Sequence, residues 1–186
     1  MMKSKKLSSL LFVMILVVST TVTVMAATTT LSIPRVQQAK SKWCWAACSE
    51  MVGQYMNSDS SRDQWDVVKH IKGSSYPNKG GTSSEIERSI KYVTKDMYTA
   101  STSRSPLSFS RHKSDINNSE PLIVWMSWDS SGAHVVVASG YNDTSDKLRL
   151  TDPASTSISY YPYDDLVNGT TIETGTGKYT RTIYID

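Results

Sequence analysis

The residues best suited to chemistry are two cysteines in the run Trp43-Cys44-Trp45-Ala46-Ala47-Cys48, and the chain has no others. At i and i+4 of one helix their side chains lean the same way along parallel vectors, whereas a disulfide needs Cβ atoms that face each other at about 3.8 Å. They also make a poor zinc site, because a structural site takes four ligands and no second Cys pair exists. A thiol at a helix N-terminus has a different use. Unpaired N–H groups and the helix dipole favour the thiolate, which is the nucleophilic form. Cys44 falls at the expected helix start. Cys48 lies one turn deeper, where a small apolar residue fills space. Taken alone, Cys44 reads equally as a reactive thiol or as core packing.

A nucleophilic Cys needs a base, and the chain offers three histidines. His70 falls inside a helical stretch beside Lys69 and reads as a surface residue. His112 stands between Arg111 and Lys113, which reads as a solvated basic patch. His134 opens the apolar run Val135-Val136-Val137-Ala138 after Gly132-Ala133, so it sits at a strand start on rigid backbone. It is the candidate base, or else a satisfied core histidine. Asp152 ends the following strand, and an antiparallel return would bring it beside His134 to fix the imidazole tautomer; as a residue before Pro153 it could equally be a plain turn residue. Asn142 lies at the far end of the His134 strand, over about 20 Å away, which excludes it as the orienter. Gln38, six residues before Cys44, could supply an amide N–H that joins the Cys44 backbone N–H in an oxyanion hole. A lone Gln in a loop carries little weight by itself.

Helices must present the cysteine and strands the histidine. Cys44, Cys48, Met51, Val52 and Tyr55 share one face, predicting a helix from Cys44 to Asn57. Trp65, Val68 and Ile71 predict a second over Ser61 to Lys72, stopped by Gly73. Thr82 with Glu85, or Ser84 with Glu87, makes a capping box for a third, Thr82 to Val93, and a weaker one is expected over Ser110 to Asn118. Strands are expected at Pro121 to Trp128, Ala133 to Tyr141, Lys147 to Thr151 and Lys178 to Ile185. Helices first and strands after predict an α+β fold with an antiparallel sheet.

Charge narrows the function classes. The chain carries 20 basic and 17 acidic residues. Lys3, Lys5 and Lys6 precede the apolar run Leu10 to Val18 and the small-residue segment ending at Ala26, the pattern of a secretory signal peptide. The apolar run is shorter than the roughly 20 residues of a spanning helix. Residues 1–26 are therefore expected to be a cleaved signal, 27–32 a short Thr-rich, poorly ordered leader, and 33–186 one domain, with no lasting membrane insertion. Loss of the three lysines leaves 17 bases against 17 acids. A balanced chain lacks the basic excess of a nucleic-acid binder, its composition is not that of a disordered protein, and two cysteines are too few for a disulfide scaffold.

The combination Gln38, Cys44-Trp45-Ala46-Ala47, His134 and Asp152 resembles papain-like cysteine proteases. Gly132-Ala133-His134-Val135-Val136-Val137 with Gly140-Tyr141 resembles the His strand of that clan. Gly80-Gly81-Thr82 and Pro121-Leu122-Ile123-Val124 are similar to compact bacterial members, the avirulence-effector cysteine proteases and the C39-like, bacteriocin-processing peptidases. The resemblance implies a helical half with the nucleophile at a helix N-terminus and a sheet half carrying the base. It gives Cys44 as nucleophile, His134 as general base and then acid, Asp152 as orienter and Gln38 as oxyanion donor. Asp152 departs from the Asn of the plant-type enzymes but is similar to the avirulence-effector members.

The expected function is a secreted, monomeric cysteine endopeptidase acting on protein or peptide, with no metal or other cofactor. The alternatives are a cell-wall peptidoglycan amidase or endopeptidase of the Cys-His type, and a non-catalytic binding protein on the same fold. Trp43 and Trp45 are candidate substrate-binding residues, though tryptophans of this kind can equally be core.

Overall fold

The computed structural model describes residues 28–155 and 158–186. The expected signal segment, 1–26, lies outside the described residues. Among those described, no helix is long and apolar enough to cross a membrane.

Helix α1 (Cys44–Met56) runs through the interior. Ala46, Ala47, Cys48, Met51 and Val52 are fully buried. Burying a side chain such as Met51 or Val52 is worth about 1.5–3 kcal/mol. The two small residues Ala46 and Ala47 let neighbours approach closely. Helices α2 (Gln64–Lys72) and α3 (Ser83–Val93) pack against α1. Helix α2 starts three residues later than the apolar spacing predicts, because Asp63 is the stronger cap: its carboxylate accepts from the Trp65 and Asp66 amides, and Asp66 returns the favour to the Asp63 amide. Gly73 ends it at φ 90°, as expected of a left-handed stop. Thr82 and Glu85 form the expected capping box on α3.

The strands are β1 (Thr28–Thr30), β2 (Ala100–Ser103), β3 (Leu122–Trp128), β4 (Ala133–Asn142), β5 (Lys147–Thr151), β6 (Ile158–Pro162), β7 (Thr170–Ile172) and β8 (Gly175–Ile185). They form one antiparallel sheet in the order β2-β8-β3-β4-β5-β6, with β1 on β4 and β7 on β8. Helix α4 (Phe109–Asn117) covers β4, and the short α5 (Tyr163–Asn168) packs on β8. The chain is thus α+β with an antiparallel sheet, as the order of its patterns predicts.

Three expectations are corrected. The Thr-rich leader is not poorly ordered over Thr28–Thr30: it pairs with β4 from Gly140 to Asn142. Gly140 makes this contact feasible, since a Cβ there would stand 2.5 Å from the Thr29 carbonyl oxygen. Strands β2, β6 and β7 and helix α5 were not expected, because short segments of three to six residues carry too few periods to register. His112 is not solvated. Residues flanking a helical position point away from it, so Arg111 and Lys113 stay on the outer side, Arg111 pairing with the buried Asp115 and Lys113 with Asp143, while His112 turns inward with Asp115 and Ile116. Its Nε2 meets the Tyr179 hydroxyl at 2.8 Å. Burial, reinforced by the charge of Arg111, holds its pKa down at about 3. His70 is exposed, as expected, and stacks on Tyr92 with ring centroids 4.0 Å apart.

Candidate active site

Cys44 is the first residue of α1, and no side chain caps that helix. The first-turn N–H groups are therefore directed at the surface where the thiol lies. Both cysteines are free thiols; Cys44 is partly exposed and Cys48 buried. The Cys48 Sγ donates to the Val135 carbonyl at 3.3 Å. Burial, with the charges of Cys44 and Asp152 adding to it, pushes the Cys48 thiol well above its usual range. This is the inert, space-filling cysteine.

His134 is the second residue of β4, opposite Met126 of β3. Its Nε2 lies 2.7 Å from Asp152 Oδ1. The carboxylate is fixed from two further directions, by the Ala154 amide on Oδ1 and the Thr174 hydroxyl on Oδ2, each at 2.8 Å. Trp128 stacks on the imidazole at 5.8 Å between centroids and 16° between planes. With Nε2 committed to Asp152, Nδ1 is the ring nitrogen left for Cys44, which lines the same cavity. Burial alone would lower the pKa of His134, but the hydrogen bonds and charges of Asp152 and Cys44 outweigh it and raise the value to about 9. Burial also opposes the Asp152 carboxylate, yet the His134 contact and the two donors hold its pKa below the usual range. The shifts of the two partners agree in sign: both favour an imidazolium facing a carboxylate.

Gln38 enters from the segment before α1. Its backbone N–H donates to Pro153 O at 2.8 Å, tying it to the residue after Asp152. One N–H of its side-chain amide goes to Lys40 O at 3.0 Å, which leaves the second unassigned. The amide oxygen is buried and without a hydrogen-bond partner. Gln64, unremarked in the sequence, clamps the flanks of Gln38: its Oε1 accepts from the Ala39 amide at 2.7 Å and its Nε2 donates to Gln37 O at 2.9 Å. The Glu50 carboxylate in turn accepts from the Gln64 backbone N–H at 2.8 Å.

Two cavities meet at Cys44. One, of about 380 Å³, contains Gln38, Cys44, Trp128, His134 and Thr174. The other, of about 290 Å³, is apolar and lined by Trp45, Gly80, Gly81, Trp125 and Val135. Trp45 is its floor, 1 % exposed, with its Nε1 donating to Lys79 O at 3.0 Å. Gly81 lies flat on that floor, where a Cβ would stand 2.5 Å from Trp45 Cγ. Trp43 does not line a subsite. It is 0 % exposed, bonded to Pro77 O, and packed edge-on against Trp65 at 4.7 Å. At i and i+2 the two tryptophans cannot share a face, so only one reaches the cleft. Asn142 stays at the far end of β4, where its Oδ1 accepts from the Thr144 and Ser145 amides in a turn. Among the described residues, no group of three or more His, Cys, Asp or Glu side chains is placed to hold a metal ion.

Gln38, Cys44 and His134 thus share one cavity wall, and Asp152 backs the histidine. An α+β chain with a free thiol opening a buried helix and a carboxylate-held imidazole on the facing sheet is of the papain-like cysteine peptidase class. More narrowly, the sequence profile of the Peptidase C39 like family matches residues 30–181, and the chain belongs to that family. A family of peptidases acts on proteins or peptides. The fold also matches that of a Bacillus anthracis protein assigned to the C39-like peptidases, with a TM-score of 0.60 and 13 % identity over 86 % of this chain and 98 % of that one. No curated protein matches the sequence.

Proposed function

We propose that this chain is a secreted cysteine endopeptidase that hydrolyses peptide bonds through an acyl-enzyme on Cys44. The observation that carries the reading is the orientation of His134: Asp152 on Nε2 at 2.7 Å leaves Nδ1 for the thiol. A histidine with its pKa raised to about 9 takes the Cys44 proton readily and forms a thiolate–imidazolium pair. The thiolate attacks the peptide carbonyl carbon. The oxygen gains negative charge beside the free N–H of the Gln38 amide and the Cys44 backbone N–H. Collapse breaks the C–N bond, and His134 Nδ1 gives its proton to the leaving amine. Water then attacks the thioester with its proton passing to His134, and the carboxylic acid product frees Cys44. Asp152 keeps the ring in one tautomer and stabilises its cation throughout.

Incubation with casein and with purified peptidoglycan tests the substrate class. Casein fragments are expected from the native chain and none from Cys44→Ala. Release from peptidoglycan alone would replace this reading with the cell-wall hydrolase. Balanced charge supports the peptidase, since wall enzymes gain from attraction to anionic polymers. Secretion is supported by the basic, apolar and small-residue order of residues 1–26. N-terminal sequencing of exported protein is expected to begin at Ala27, and size-exclusion chromatography to show a monomer.

A further inference from the structure

A third cavity, of about 610 Å³, lies where the start of α3 meets the end of β2 and the middle of β8. It is polar and carries two guanidinium groups, Arg104 and Arg181. Neither forms an ion pair among the described residues. The one acid on the wall, Glu87, accepts from the Thr102 hydroxyl at 2.5 Å and leaves one positive charge in excess. The hydroxyl of Ser83, on the same wall, is buried without a hydrogen-bond partner. The first turn of α3 adds its positive end to this side.

The cavity adjoins the cleft at Trp125. Arg181 pairs with Trp125 across β8 and β3, and its guanidinium carbon lies 5.3 Å from the centre of the Trp125 ring. The same Trp125 lines the apolar cavity at Cys44. The opposite rim is also shared, with Gly80 and Gly81 lining the apolar cavity and Thr82 the cationic one. The direction follows from the chemistry. His134 protonates the leaving amine, so the leaving group occupies the cavity that contains His134. The apolar cavity, which lacks both His134 and Gln38, takes the acyl side of the substrate. An extended peptide advances about 3.3 Å per residue. A chain that enters the apolar cavity and passes Trp125 reaches the arginines a few residues before the cleaved bond.

We propose that Arg104 and Arg181 form a subsite for an acidic side chain three or four residues to the N-terminal side of the cleaved bond. The proposal rests on the Cys44 peptidase reading. The test uses acetylated tetrapeptide aminomethylcoumarin amides, with Glu, Gln or Lys fixed at the third or fourth residue from the cleaved bond and mixtures elsewhere. Glu is expected to exceed Gln by about tenfold in kcat/KM at one of these positions, the size of a hydrogen bond to a charged group, with Lys below both. The Arg104→Gln/Arg181→Gln double variant is expected to cleave the Gln series normally while the Glu preference falls below about twofold. Equal cleavage of Glu and Gln series by the native chain would overturn the subsite and leave the peptidase standing. A Glu preference that survives in the double variant would also overturn it. Failure to cleave any series would instead count against the peptidase reading itself. If the double variant does not fold, the native Glu-to-Gln ratio decides alone.

Discussion

Replacing Asp152 by Asn tests the electrostatics of the site most directly. The amide keeps the shape of the side chain and an oxygen for His134 Nε2, but it removes the charge that stabilises the imidazolium. His134 is raised from 6.5 to about 9 against the lowering effect of its own burial. That interval corresponds to about 3 kcal/mol favouring the cation, shared by Asp152 and Cys44. Without the carboxylate, burial acts against Cys44 alone, and the pKa is expected to fall by one to two units. The alkaline limb of kcat/KM should move from about pH 9 to between about 7 and 8, with a lower plateau. The same carboxylate gives a stability signature. A base whose folded pKa exceeds its unfolded value contributes fully below about pH 6.5, and that contribution is lost as pH rises through about 9. Thermal melts of the native chain should therefore weaken between those values, and Asp152→Asn should flatten the slope. The assay is kcat/KM against pH on one fluorogenic peptide, alongside iodoacetamide labelling of Cys44 over the same range. An alkaline limb that stays at about 9 in Asp152→Asn would refute the account, because the carboxylate would then not be what raises His134.

Gln38→Ala should lower kcat/KM by about 10²–10³-fold, the effect of losing one oxyanion donor, while iodoacetamide labels Cys44 at a nearly unchanged rate, since alkylation builds no oxyanion. His112 should show itself at acid pH. Its folded pKa of about 3 lies below the unfolded 6.5, so stability falls as pH drops below about 6.5, by up to about 1.4 kcal/mol per unit; His112→Gln is expected to show a shallower loss in melts from pH 6.5 to 4. Gly81→Val places atoms where Trp45 Cγ already stands 2.5 Å from a Cβ. It should cost about 1–3 kcal/mol in denaturant unfolding and raise KM by displacing the floor of the apolar cavity.

The sequence shows where Cys44 and His134 begin their elements because those signals are local: an apolar helical face starts at one and an apolar strand at the other. Asp152 was legible one step further, since an antiparallel return from β4 to β5 brings the end of β5 back toward the start of β4. Thr174 was not legible. It bonds Asp152 from 22 residues away, and nothing near it in the chain marks it. Gln64 is similar, acting on Ala39 and Gln37 from 25 and 27 residues away, with the whole of α1 between them. Trp43 and Trp45 are alike in type and neighbourhood, and only the helix phase separates the core residue from the one at the cleft. His112 misled for the same reason: its charged neighbours described the helix surface, and its own phase pointed inward.

Strand β8 follows every other described strand in the chain, yet it lies inside the sheet between β2 and β3. Until residues 175–185 are available, β2 has no neighbour in the sheet and β3 keeps an open edge. The Thr174 hydroxyl that steadies Asp152 arrives with the same segment. A chain still being made therefore already has its thiol and its imidazole but not the frame that holds them together. The frame around Asp152 therefore closes only once residues 174–185 have left the ribosome, and this delay follows from the strand order itself.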